Sequence, residues 1–211
     1  MLDLAPVMPV IRLRDAADAG PVATAIGSAG LPLVLVALDS PAGYPAIERI
    51  ATDVPEIIVG AAAVTEVGQP ALARAAGAEF LVADHGQEPL RAALRDAELP
   101  HLPGVANALQ AIELLDDGYT DMVLSSAGEA GGTRQLKALA AFAPAARFCA
   151  AGGIGPGDLT RYLNAPNVGC VAADWIAPAD AVRRGDWDRI RRLAEVAVKL
   201  SNPTVTAERA L

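Results

Sequence analysis

The chain has 211 residues, of which 53% are hydrophobic and 20% are charged, and its formal net charge is −8 at pH 7. This composition supports one large buried core, and the acidic balance argues against a nucleic-acid partner because phosphate binding needs clustered cations. The sequence has neither an apolar run of about 18 residues nor a signal-peptide pattern, so we expect a cytoplasmic protein without a membrane partner.

Short apolar segments, typical of buried parallel strands, alternate with longer Ala-rich segments, typical of helices. The predicted strands are Val7–Leu13, Pro32–Leu38, Glu56–Val64, Glu79–Asp84, His101–Val105, Asp121–Ser125, Ala146–Ala151 and Gly169–Ala173. The predicted helices are Ala16–Ser28, Tyr44–Thr52, Gln69–Ala76, Glu88–Asp96, Ala108–Asp117, Thr133–Phe142, Gly157–Leu163 and Trp187–Leu200.

Eight strand–helix units in roughly 200 residues predict an α/β fold of the (β/α)8 TIM-barrel type. We expect a single domain, with the barrel over residues 5–200 and a loosely held tail at 201–211. Gly30, Gly77 and Gly118 stand where helices should end, and Asn107 is a predicted N-cap. A doubly wound open sheet is the alternative, because the same alternation builds both folds.

Polar residues stand at or just after several predicted strand ends, where barrel proteins carry their functional groups. They are Arg12, Asp39, Asp84, His85, Ser125, Ser126, Glu129 and Asp174. The acids with one histidine suit acid–base chemistry or a divalent cation, or they are ordinary polar loop residues. Because they form no tight ligand motif, we predict no resident metal and no cofactor, and the candidate catalytic residues are Asp39, Asp84, His85 and Glu129.

Arg12 and a glycine pair are the candidate ligand contacts at this end of the barrel. A guanidinium in a strand needs an anionic partner, which is either an internal carboxylate such as Asp39 or a small carboxylate ligand. Gly152 and Gly153 form either an anion-binding loop or a tight turn, and the turn is favoured because the acidic Asp174 follows the next strand.

Several segments match a known family in order and spacing between about residues 6 and 199. They are Pro6–Ile11, Val54–Ala61, Ala76–Phe80, Leu102–Val105, Gly131-Gly132, Arg147–Cys149, Gly152–Ile154 and Pro178–Ile190. With them the chain resembles the 2-keto-3-deoxy-6-phosphogluconate (KDPG) and 4-hydroxy-2-oxoglutarate (KHG) aldolases. The resemblance implies a homotrimer of barrels that act on 2-oxo acids through a lysine Schiff base, with a glutamate moving protons.

The chain departs from the family where this chemistry should occur. Its only lysines are Lys137 and Lys199, and the lysine position of the sixth predicted strand holds Val123, or Leu124 if the alignment moves by one residue. The other departures are Pro41 at the second-strand glutamate, Ala63 at a third-strand threonine, Asp84 at a fourth-strand proline and Asp174 at an eighth-strand serine.

These departures predict an aldolase-like barrel that is catalytically silent or altered, whether through divergence or by design. Asp174 would repel a phosphate, so a small carboxylate or 2-oxo acid is the expected ligand. The expected ligand-binding residues are Arg12, Ser125, Ser126, Gly152, Gly153 and Asp174. The alternative is a carbon–carbon lyase that acts on a 2-oxo acid by acid–base or metal-assisted chemistry.

Overall fold

The computed structural model describes residues 1–128 and 132–202, along which strands and helices alternate. The strands are β1 (Val7–Ile11), β2 (Leu33–Ala37), β3 (Ile58–Val64), β4 (Phe80–Ala83), β5 (His101–Leu102), β6 (Gly104–Val105), β7 (Asp121–Leu124), β8 (Arg147–Ala150) and β9 (Val168–Ala173). The helices are α1 (Ala19–Ser28), α2 (Gly43–Asp53), α3 (Gln69–Ala75), α4 (Glu88–Asp96), α5 (Ala108–Asp116), α6 (Thr133–Phe142), α7 (Leu159–Leu163), α8 (Ala179–Arg184) and α9 (Trp187–Ser201).

The strands form one parallel sheet in the order β5-β4-β3-β2-β1-β9-β8-β7-β6. Its two ends, β5 and β6, are consecutive halves of one barrel strand, so β4 pairs with the first half and β7 with the second. The sheet therefore curls into a nearly closed ring with helices outside it. The barrel prediction is confirmed, and the doubly wound alternative is wrong.

The fifth predicted strand, His101–Val105, is interrupted rather than continuous. Pro103 lies at the break, where it has no N–H to donate to a ladder, although its carbonyl accepts the N–H of Val123 at 3.0 Å. A Cβ on Gly104 would lie 2.3 Å from the carbonyl carbon of Asp84, so only glycine allows this close approach of the fourth-strand loop.

Apolar side chains fill two layers because successive residues of a strand point to opposite faces. In β2, Leu33 and Leu35 pack inside the barrel, whereas Val34 and Val36 pack between the sheet and the helices. The interior layer also contains the fully buried Leu2 of the N-terminal segment. Because both faces of each strand are buried, the strand sequences are unbroken apolar runs.

Most helix boundaries match the predictions to within two or three residues. Gly30, Gly77 and Gly118 have φ of 94°, 101° and 89° after α1, α3 and α5, as expected of glycines that end helices. Asn107 caps α5, because its side-chain oxygen accepts the Gln110 N–H at 3.1 Å.

One helix was not predicted. The sequence analysis left residues 179–184 without a helix, but α8 occupies them and ends at Gly185 in the left-handed conformation, with φ of 63°. The last helix, α9, ends at Ser201, so residues 203–211 of the expected tail lie outside the described residues. No helix in the described part of the chain is long and apolar enough to cross a membrane.

Candidate functional site

A cavity of about 260 Å³ opens at the carboxyl ends of the barrel strands. Inward-facing aliphatic side chains form its floor, namely Val10, Leu35, Ala62, Val82, Val123 and Ala172. Polar residues and a glycine at the strand ends form its rim, namely Arg12, Asp84, Ser125, Ser126, Gly152 and Asp174. This position is where barrel proteins bind ligands, so the cavity is the candidate functional site.

Strand β7 places an aliphatic side chain, that of Val123, in the cavity floor. Val123 is 2% exposed and belongs to the interior layer, whereas its neighbour Leu124 packs between the sheet and the helices. Of the two positions that the resemblance offered for an amine, only 123 therefore faces the cavity.

Both lysines lie on helices outside the barrel interior. Lys137 is exposed on α6, where it lines a surface pocket with Arg134 and Arg161. Lys199 lies in the last turn of α9. Neither side chain is among those that line the barrel cavity.

Arg12 lies just beyond β1, at the rim, and its Nη1 donates a hydrogen bond to Asp39 Oδ2. The expectation of a buried strand guanidinium is wrong, because β1 ends at Ile11 and the Arg12 side chain is 51% exposed. The expected internal partner is present, since Asp39 binds Arg12 and does not itself line the cavity. A guanidinium has five N–H donors, so Asp39 leaves most of them available.

Asp84 follows β4 and presents its carboxyl group to the cavity. Burial raises the pKa of this carboxyl above its ordinary value; the neighbouring Arg12 and His85 partly oppose the shift, and Asp39 adds to it. The Asp84 backbone is fixed, because its N–H donates to the Val64 carbonyl at 3.1 Å and its carbonyl accepts the Ser125 hydroxyl at 3.1 Å.

His85, predicted as a general base at the mouth of the barrel, faces another cavity. It lines a space of about 320 Å³ beside α4 and α5. Its Nε2 lies 3.2 Å from the Thr65 carbonyl oxygen, and its Nδ1 accepts the Gln87 N–H at 3.5 Å. Both ring nitrogens thus have backbone partners in the neutral tautomer with the proton on Nε2, and neither borders the barrel cavity.

The glycine pair Gly152-Gly153 forms a tight turn against the loop after β7. The Gly152 carbonyl accepts the Gly128 N–H at 2.8 Å, and a Cβ on Gly152 would lie 3.0 Å from the Ser126 Cα. Gly152 lines the cavity, and Gly153 does not. Of the other candidates, Pro41 is exposed in the loop after β2 and Glu129 lies outside the described residues.

The acids do not converge on a single point. Within residues 1–128 and 132–202, no three His, Cys, Asp or Glu side chains are grouped so that they could hold a metal ion. Asp39, Asp84, His85 and Asp174 therefore do not belong to a metal-type cluster of described residues. Apart from Val123, the floor residues were not predicted from the sequence, although the alternation along each strand carries that signal.

Two residues of the cavity wall have strained backbones. Among the described residues, non-glycine residues with positive φ are Ala63 at 55°, Ser126 at 57° and Glu98 at 53°. Ala63 and Ser126 both line the cavity, and such conformations persist at ligand sites when the surrounding structure enforces them.

Comparisons with known proteins agree with the geometry. The family model "Aldolase: KDPG and KHG aldolase" matches residues 1–193. The 2-dehydro-3-deoxy-phosphogluconate aldolase of Pseudoalteromonas atlantica is 38% identical over 92% of this chain and 90% of its own length. The KHG/KDPG aldolase of Escherichia coli K12 is 36% identical over 94% of this chain and 93% of its own.

The solved structures include a KDPG aldolase from Legionella pneumophila, captured with pyruvate as a covalent carbinolamine intermediate. It superposes with a TM-score of 0.89 at 34% identity, over 93% of this chain and 95% of that one. The fold and the cavity define a (β/α)8 barrel with a candidate ligand site at the carboxyl ends of its strands. The chain belongs to the KDPG and KHG aldolase family.

The strain at Ala63 predicts a stabilising substitution. Glycine tolerates positive φ without the Cβ penalty, so Ala63→Gly should raise the free energy of unfolding by about 1 kcal/mol, measured by urea titration. The control is Ala62→Gly on the preceding residue of the same strand, where φ is not positive. That change should lower the free energy of unfolding. A similar loss in both variants would contradict the interpretation that the backbone of Ala63 is strained.

We expect the raised pKa of Asp84 to change when a neighbouring charge is removed. The folded state holds this proton more tightly than the unfolded chain, so the contribution of Asp84 to stability falls as pH rises from the unfolded pKa to the folded one. Carboxyl carbon NMR should show the pKa of Asp84 rising further in Arg12→Met, which removes an opposing charge. Arg14→Met is the matched control and should leave the pKa of Asp84 unchanged. A lowered value in Arg12→Met would contradict the assignment.

Proposed function

We propose that this member of the aldolase family does not cleave its ligand through a Schiff base and instead binds a small molecule non-covalently in the barrel cavity. The observation that carries the proposal is the aliphatic side chain of Val123 at the inward position of β7. The resemblance assigns the reactive amine to that position.

The chemistry of the family supports this proposal. The Legionella pneumophila relative forms a covalent carbinolamine with pyruvate, a species in which an amine nitrogen has added to the ketone. The lining of this cavity offers carboxylates, hydroxyls and one guanidinium, which stays protonated and is no nucleophile. Without an amine no imine forms, and no electron sink is available for carbon–carbon cleavage.

Two other positions at which the chain departs from the family also argue against cleavage through a Schiff base. Pro41 replaces the glutamate that the resemblance assigns to proton transfer, and it is exposed rather than at the cavity. Ala63 does line the cavity, but it has no hydroxyl to offer a substrate. The amine that the resemblance assigns to residue 123 and the hydroxyl that it assigns to residue 63 are therefore both absent from the cavity lining, and residue 41 is not a glutamate. Their joint absence favours a change of function over a single drifted residue.

Arg12 is the group through which the expected small carboxylate or 2-oxo acid would bind. It lines the cavity, and Asp39 occupies only one of its nitrogens in the described structure. A bidentate contact to the remaining N–H groups would orient such a ligand toward the apolar floor. The expectations of a one-domain cytoplasmic protein without nucleic-acid or membrane partners stay predictions.

A carbon–carbon lyase that needs no lysine is the second candidate. Identity of 36–38% to named aldolases over more than nine-tenths of the chain favours it. Asp84 would serve as its acid–base group, because burial raises its pKa toward the range in which a carboxyl group can both hold and release a proton.

Borohydride reduction in the presence of pyruvate tests the main proposal. Wild-type protein should show no adduct by intact mass, whereas Val123→Lys should gain one because it places an amine in the cavity. Lys137→Met controls for the surface lysine. A reduced adduct on wild-type protein would overturn the proposal. Pyruvate release from KDPG or KHG without an adduct, with or without added divalent ions, would support the lyase instead.

We also propose that the chain forms a homotrimer through the outer face of α5. Leu109 and Ile112 lie one turn apart on this helix and are 66% and 36% exposed, an arrangement that favours burial by another subunit. Light scattering after gel filtration should give a trimer for wild-type protein and a smaller species for Leu109→Glu. Val196→Glu, at a 40%-exposed apolar residue of α9, should stay trimeric. A monomeric wild-type protein would refute this assembly.

A further inference from the structure

We infer that the natural ligand of the cavity is a zwitterion, namely an aliphatic α-amino acid. Its carboxylate binds Arg12, its ammonium group binds Asp174 or Asp84, and its side chain fills the apolar floor. This inference rests on the proposed non-covalent binding function and specifies its ligand class.

The charges of the rim suit neither a simple anion nor a simple cation. Among the described residues, the cavity lining contains one cation, Arg12, and two acids, Asp84 and Asp174. An anionic ligand at Arg12 would leave both carboxylates beside another negative charge, and a cation would meet Arg12. A ligand that carries one charge of each sign places a partner against both kinds of rim group.

The register of the sheet places groups of opposite charge on adjacent strands at the mouth of the cavity. Strands β1 and β9 are neighbours, and Pro9 pairs with Ala173, so Arg12 and Asp174 leave adjacent strands at the same edge. The ammonium and carboxylate groups of an α-amino acid are attached to one carbon atom, so they need partners on adjacent elements. Arg12 and Asp84 also line the same cavity.

The floor accounts for the rest of the ligand. Six aliphatic side chains form it, and among the rim hydroxyls that of Ser125 already donates to the Asp84 carbonyl. An apolar floor favours burial of an unbranched or branched hydrocarbon chain and penalises hydroxyl groups that find no partner. The volume of about 260 Å³ lies just below the usual range of ligand pockets, which fits a small occupant and excludes a large one.

A matched ligand series measured by isothermal titration calorimetry tests this inference. L-Norvaline carries both charges, 2-oxopentanoate replaces its ammonium group with a ketone, and n-butylamine lacks its carboxylate. Wild-type protein should bind L-norvaline about tenfold or more tighter than either analogue, since each lacks one ion contact. Equal or tighter binding of 2-oxopentanoate would overturn the inference, as would failure of L-norvaline to bind.

Two variants assign the charges. Asp174→Asn combined with Asp84→Asn should abolish the preference for L-norvaline over 2-oxopentanoate, and Arg12→Met should abolish the preference for L-norvaline over n-butylamine. Asp53→Asn, at an exposed acid at the end of α2, is the control and should change neither ratio. Circular dichroism checks that each variant is folded. If a variant is not folded, the comparison of the three ligands with wild-type protein still tests the inference. Preferences that survive both changes would refute the assigned contacts. A borohydride adduct would instead refute non-covalent binding, so the two failures are distinguishable.

Discussion

The strict alternation of side chains along each strand is the constraint on which the site depends. In a closed parallel sheet every second residue points inward, and the outward residues are needed to pack the helices. In β7 this assigns Val123 to the cavity and Leu124 to the helix layer. A one-residue slip would bury every side chain of the strand on the wrong face, so the identity of residue 123 sets what chemistry β7 can supply.

The same alternation explains why much of the fold was predictable and why two details were missed. Unbroken apolar runs, with glycines after the helices, indicated eight strand–helix units, and the barrel follows from closing them. The break in the fifth strand had a signal in Pro103, since proline cannot donate to a ladder. The helix α8 had signals in Pro178 before it and Gly185 after it, but its six residues are too few to show a periodic pattern.

A polar residue at a strand end lines the cavity where it continues the inward phase of its strand. Phe80 and Val82 point inward and Asp84 continues that phase to the rim, so His85 turns away, where its ring nitrogens find backbone partners. Asp39 pairs with Arg12 of the neighbouring strand, which is one of the two alternatives that the sequence left open, and it does not line the cavity. Ion pairs between strand ends depend on spatial proximity, which periodicity along a single strand does not contain.

In the proposed function, the acidic rim and the apolar floor of the cavity would have opposite effects on an amine placed between them. An amine in the floor would sit among aliphatic groups that disfavour its protonated form, whereas the acids at the rim would favour it. With Val123 in place that conflict is absent. Asp84 and Asp174 line the cavity and form no ion pair within residues 1–128 and 132–202, so a ligand could supply their counter-charge. Burial already raises the pKa of Asp84, and an ammonium group bound beside this carboxyl would favour its ionised form. Under the proposed function, the charges at the rim would therefore favour a ligand that carries one charge of each sign.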